Sequence, residues 1–191
     1  AIGESWVIDF EWDGNASFAE VIETAGVIPL PPYMHREAEK SDNERYQTIY
    51  ADHEGSVAAP TAGLHFTDRV LANLRQHHID TEFITLQVGA GTFKPVSSTI
   101  IGEHNMHIEQ IHISADNLYA LIAHSDKPII AVGTTTVRTL ESVYWFGVQL
   151  QQNPNLAGMH LGQWECYALA DKALPMVDAY NNVLSWLERH K

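Results

Sequence analysis

An α/β protein, with a mixed or parallel sheet flanked by helices, is predicted by three features of the sequence. Between Thr81 and Thr136, β-branched runs alternate with an amphipathic helical segment, the pattern of a strand-helix-strand crossover. Ile129, Ile130, Ala131 and Val132 form an unbroken apolar run closed by Gly133, which suits a central strand buried on both faces. After three threonines, Val137, Leu140 and Tyr144 then lie on one side of a helix, with Arg138, Glu141 and Ser142 on the other.

Composition bounds the rest. With 191 residues, 45% of them hydrophobic and 18% charged, the chain has the balance of a globular protein able to bury a core. It contains no apolar run long enough to cross a bilayer. The single cysteine, Cys166, rules out an internal disulfide framework and fits a cytoplasmic setting. A net charge of −13 argues against nucleic-acid binding through bulk electrostatics, so any such partner requires a local patch. The densest basic group, Arg36, Lys40 and Arg45, is interleaved with Glu37, Glu39, Asp42 and Glu44 and reads first as a solvated loop.

In chain order, Trp6 to Trp12 alternates as a strand in progress, read as part of something longer. Ser17 caps a helix carrying Phe18, Val21, Ile22 and Ala25, which stops at Gly26. Val27 to Tyr33 is too proline-rich for helix or interior strand, and the domain boundary is placed there, with residues 28–191 as the α/β portion. A short helix is expected within Glu44–Tyr50. Gly55 to Thr67 is a run of small residues able to approach a ligand or another segment closely. Thr67 caps a helix ending near His77 and His78. Thr81–Val88 and Met106–Ile113 read as strands, and Ser114 caps a helix carrying Leu118, Leu121 and Ile122. Leu161–Ala170 is a strand or extended cover, and Met176–Trp186 a closing helix.

Several residues carry chemistry. The first amides of the helix after Gly133 have no partner within it, so Thr134 and Thr135 can meet a polar or anionic ligand there. Arg138, one turn in, reaches either such a ligand or Glu141 at i,i+3. His65 is either a packed histidine or a proton carrier. Gly89-Ala90-Gly91-Thr92-Phe93-Lys94 lacks the P-loop ending and the dinucleotide spacing, yet it remains a strand-end loop with a cation. His104, His107 and Glu109 raise a metal question, but nothing completes a zinc pattern, and no metal site is assigned.

Six segments occur in order: PLPPY (Pro29 to Tyr33), ERYQTIYA (Glu44 to Ala51), GSVAAPTAGLHFT (Gly55 to Thr67), VGAGTFKPV (Val88 to Val96), HNMHIE (His104 to Glu109) and AVGTTTVRTLES (Ala131 to Ser142). Together they closely resemble the S-adenosylmethionine:tRNA ribosyltransferase-isomerases, which form epoxyqueuosine. The resemblance, strongest from Ile28 to Gly147, implies that this chain is the central part of such an enzyme, with residues 1–27 as the end of the family's small β-rich domain and residues 28–191 as part of its α/β catalytic domain. It implies S-adenosylmethionine as co-substrate, no separate cofactor, and a tRNA partner carrying 7-aminomethyl-7-deazaguanine. The ribosyl group would pass to the aminomethyl group, with release of adenine and methionine.

On that reading, Thr61, Gly63, Gly89, Gly91, Lys94, Thr134, Thr135 and Arg138 bind substrate, while His65, His107 and Glu141 serve catalysis. The rival readings are a non-catalytic small-molecule binding domain and a histidine-based metalloenzyme.

Overall fold

The structure, a computed structural model, describes residues 7–53, 55–93 and 98–190. It mixes helices with a two-strand sheet. Helix α1 (Phe18–Ala25) begins as its sequence predicts: the Ser17 hydroxyl accepts from the Glu20 amide, and the Glu20 carboxylate accepts from the Ser17 amide. The Gly26 amide closes it by donating to the Ile22 carbonyl at 2.7 Å. None of residues 7–12 forms a strand, a correction to the strand expected over Trp6 to Trp12. Phe10 and Trp12 instead pack against Phe18, with ring centroids 5.3 and 5.8 Å apart.

Helix α2 (Asp42–Arg45) is shorter and earlier than the Glu44–Tyr50 expectation. Asp42 decides this. Buried at 2% exposure, its carboxylate accepts two bonds of 2.7 Å from the Arg36 guanidinium and one of 2.8 Å from the Glu39 amide. Arg36 and that amide hold the Asp42 carboxyl far below the usual carboxylate range. A depressed carboxyl contributes stability that is present above its unfolded pKa of about 4 and is lost as pH falls toward the folded value. Thermal unfolding between about pH 5 and pH 2 is therefore expected to show a steeper loss of Tm in the parent protein than in Asp42→Asn; equal slopes would remove Asp42 as a source of acid sensitivity.

Helix α3 (Asp68–Gln76) is capped by Thr67, whose hydroxyl accepts from the Val70 amide at 3.3 Å. Strand β1 (Thr85–Gln87) pairs antiparallel with β2 (Gln110–His112), in the register Thr85 with His112 and Leu86 with Ile111. Both strands are shorter than their apolar patterns suggest. Helix α4 (Ala115–Ala123) opens on a capping box between Ser114 and Asn117, and Asn117 Nδ2 donates to the Phe83 carbonyl at 3.1 Å, docking α4 beside the approach to β1.

Ile129–Val132 is not a strand. Ile130 is 85% exposed, and the expected mixed or parallel sheet is replaced, among the described residues, by the β1-β2 pair alone. A strand needs a neighbouring edge to take its amides and carbonyls. Among the described residues no third strand offers one.

The helix beyond does form, as α5 (Thr134–Gln152), continuing past Gly147. Leu161–Ala170 contains the short helix α6 (Glu165–Ala168) rather than a strand, and α7 (Met176–Arg189) closes the fold as predicted. Leu118 from α4, Val143, Phe146 and Leu150 from α5, and Tyr180, Val183 and Leu184 from α7 form the core. The Tyr144 hydroxyl donates to the Leu174 carbonyl at 2.7 Å, and Trp186 Nε1 donates to the Leu156 carbonyl at 2.7 Å, fastening the flanking loops to this core.

Candidate functional site

Small residues bring the Gly55–Thr67 segment against the end of β1. The Val57 and Ala58 amides donate to the Val88 carbonyl at 2.9 and 3.2 Å. The Ser56 hydroxyl donates to the Leu86 carbonyl and accepts from the Val88 amide. The close approach allowed by this run is thus to another segment of the chain, and it fixes the following turn, Thr61–His65, beside the mouth of α5. Gly133 has φ of 92°, and a side chain there would stand 3.4 Å from the Ala62 Cβ.

The result is a cleft of about 620 Å³, lined in part by Thr61, Thr92, Phe93, Gly133, Thr134 and Thr135. That size lies within the roughly 300–1,000 Å³ usual for small-molecule sites. Three separate loops meet along it. Among the described residues no side chain caps the α5 N-terminus, and the Thr136 and Thr139 hydroxyls turn back to the carbonyls of Val132 and Thr135. Its first amides are left for a ligand.

Thr61 also lines a second cleft of about 380 Å³ with Arg36, Arg45, Tyr46 and His65. His65 is exposed and lines this second cleft, and His107 lines neither. Tyr46 lines both clefts, and burial pushes its hydroxyl up, keeping it a neutral donor at neutral pH. Gly63 is buried, and any side chain there would run into the Tyr50 hydroxyl and Thr48. Packing therefore requires this glycine. A side chain at Gly89 would meet nothing within 4 Å. Lys94 lies outside the described residues.

Behind the cleft wall lies a polar cluster. The Thr92 hydroxyl donates to Glu109 Oε1 at 3.1 Å, and His107 Nε2 lies 3.2 Å from the same oxygen and 3.3 Å from Thr92 Oγ1. Arg138 Nη2 donates to the His107 carbonyl at 3.1 Å, while Nη1 lies 3.7 Å from Glu109 Oε2. Arg138 thus finds its carboxylate in Glu109. Glu141 is exposed, and its charge adds to the burial that pushes the Tyr180 hydroxyl up to about 12.

Gly91 makes the cluster possible, because a side chain there would stand 2.8 Å from the His107 Cβ. Gln163 holds the segment from the far side, accepting from the Met106 amide at 3.0 Å and donating to the His104 carbonyl at 2.8 Å. Its spacing from His107 carries no sequence signal. Glu109 enters the sequence reading only through the metal question; its alternation with His107 places the two side chains together. Among the described residues no group of three or more His, Cys, Asp or Glu side chains is arranged to hold a metal ion.

Residues 2–169 match the family described as queuosine biosynthesis protein. The chain is 50% identical over 140 residues to the S-adenosylmethionine:tRNA ribosyltransferase-isomerase of Treponema denticola, covering 72% of this chain and 38% of that protein. It is 54% identical over 145 residues to the protein of the same name from Rickettsia canadensis, covering 74% and 37%. A third relative of that name, from Halothermothrix orenii, is 49% identical over 138 residues, covering 71% and 39%. The chain thus spans little more than a third of the length of these curated relatives. No solved structure matches it.

Proposed function

The chain belongs to the queuosine biosynthesis protein family, and on that premise we propose that it carries the S-adenosylmethionine site of a tRNA ribosyltransferase-isomerase. The reaction joins the ribosyl part of S-adenosylmethionine to the aminomethyl group of 7-aminomethyl-7-deazaguanine in tRNA. A base removes a proton from the ribose carbon beside the sulfonium, and adenine departs. The amine then attacks the sugar, and ring closure to the epoxide expels methionine. Residues 1–27 are read as the end of a small β-rich domain, residues 28–191 as part of the catalytic domain, and the setting as cytoplasmic.

The observation that carries this reading is the cleft where the Thr61 turn, the Thr92 loop and the uncapped α5 mouth converge. Thr134, Thr135 and Arg138 hold the methionine carboxylate through amides, hydroxyls and guanidinium. His107 moves the proton, and the apolar wall of Pro31, Leu86 and Val88 excludes water from the sulfonium. His65, which lines the second cleft, is the other proton-transfer candidate. With the protein's net charge of −13, tRNA recognition rests on splayed anticodon bases with few phosphate contacts.

Incubating the intact protein with S-adenosylmethionine and tRNA carrying the aminomethyl base is expected to release adenine and methionine in equal amounts, while tRNA lacking that base releases neither. S-adenosylmethionine binding without adenine release would instead support a non-catalytic binding domain.

A further inference from the structure

We infer that Glu109 is a positioning residue for proton transfer, acting through His107. This deepens the preceding proposal and rests on its assignment of His107. Three observations converge on that carboxylate. Its side chain is 5% exposed, and a carboxylate is rarely buried unless it is paired. Its three polar neighbours come from three different segments: Thr92 from the glycine loop, His107 from the segment leading to β2, and Arg138 from the first turns of α5. Gly91 and Gln163 hold the backbone on either side so that these groups meet.

The hydrogen bonds determine which imidazole nitrogen carries the proton. Thr92 has one hydroxyl proton, and it goes to Glu109 Oε1. The Thr92 oxygen is then left as an acceptor, and the carboxylate oxygen is an acceptor too. Both lie within 3.3 Å of His107 Nε2, so Nε2 supplies the hydrogen. Nδ1 is left with its lone pair, and among the described residues it has no hydrogen-bond partner. Glu109 therefore presents Nδ1 as the proton acceptor and, when the imidazole becomes cationic, stabilises it across the Nε2 bond. Arg138 also donates to the His107 carbonyl at 3.1 Å, a contact that does not pass through Glu109.

Two measurements on the intact protein test this. By nuclear magnetic resonance without substrate, with histidine nitrogen labelled, the His107 Nε2–H proton is expected to exchange slowly with water in the parent protein and quickly in Glu109→Leu. Equal exchange in both overturns the hydrogen-bond assignment whatever the protein catalyses. In adenine release, Glu109→Gln is expected to lower kcat about 100-fold, with KM for S-adenosylmethionine moving less than about threefold, and Glu109→Asp to recover part of the loss.

In a His107→Ala background the same Glu109→Gln substitution is expected to have no further effect on kcat, because the group it positions is gone. A full 100-fold loss in that background would assign Glu109 a role of its own and overturn the inference. A parent protein that releases no adenine, but retains the slow Nε2–H proton, would sink the catalytic reading while leaving the carboxylate-imidazole contact intact.

Discussion

Gly147→Leu is expected to cost about 3 kcal/mol or more and to lower Tm by roughly 10 °C, the largest effect on folding of any substitution considered. Gly147 lies within α5, where glycine normally weakens a helix by about 1 kcal/mol relative to alanine. The reason for its presence is across the interface. A side chain at Gly147 would overlap the Ala179 carbonyl of α7, and its Cβ would stand 2.9 Å from the Ala179 Cα. The obstruction is backbone, which cannot rotate away as a flexible side chain would.

Asn182 reinforces this closest approach, its side-chain amide donating to the Gly147 carbonyl at 3.1 Å. Leucine would push α7 off α5 and open the layer formed by Val143, Phe146, Tyr180 and Val183. Even Gly147→Ala is expected to destabilise, by about 1–3 kcal/mol, despite the better helix propensity of alanine. Gly158→Ala, where a side chain meets nothing within 4 Å, is the control and is expected to be near neutral. Thermal unfolding of the three variants decides the matter: a Gly147→Ala protein as stable as the parent would show that the two helices are not held at this contact.

Arg138→Ala is expected to have the largest effect on ligand binding, weakening S-adenosylmethionine affinity about 100-fold, or roughly 2.7 kcal/mol, and lowering adenine release to match. Arg138 stands on the first turns of α5 beside the uncapped amides, with its guanidinium oriented by the His107 carbonyl and the Glu109 carboxylate. A planar guanidinium held this way meets a ligand carboxylate with little further ordering, so Arg138→Lys is expected to recover only part of the loss. Titration calorimetry with S-adenosylmethionine, alongside adenine release, tests this. Unchanged affinity and turnover in Arg138→Ala would remove the residue from the site and leave its contact with Glu109 as a structural ion pair.

The candidate site was legible in part because its polar residues sit in compact segments. Gly133-Thr134-Thr135 marks a helix mouth wherever the chain goes next, and the structure does bring that turn to the same cleft as Thr61 and Thr92. The partners were not legible. The sequence spacing offers Glu141 to Arg138 at i,i+3, but the structure supplies Glu109, 29 positions earlier in the chain, because only the folded backbone brings the β2 approach alongside α5. Gly63 and Gly91, read as ligand contacts, are set against Tyr50 and His107, where they make room for packing.

By itself the sequence determined the helices and where they start: Ser17, Thr67 and Ser114 cap α1, α3 and α4, because a capping bond and an i,i+4 stripe are complete within a few residues. It determined the family as well, through six ordered motifs. Only the tertiary structure decided the sheet. A strand's backbone groups are satisfied by a neighbour that sequence position does not name, so Ile129–Val132 has the composition of a buried strand without being one, while β1 and β2 find each other across 22 intervening positions, between Gln87 and Gln110. The same physics governs the site: charge, hydroxyl and imidazole were present in the sequence, but their meeting around Glu109 is a consequence of packing.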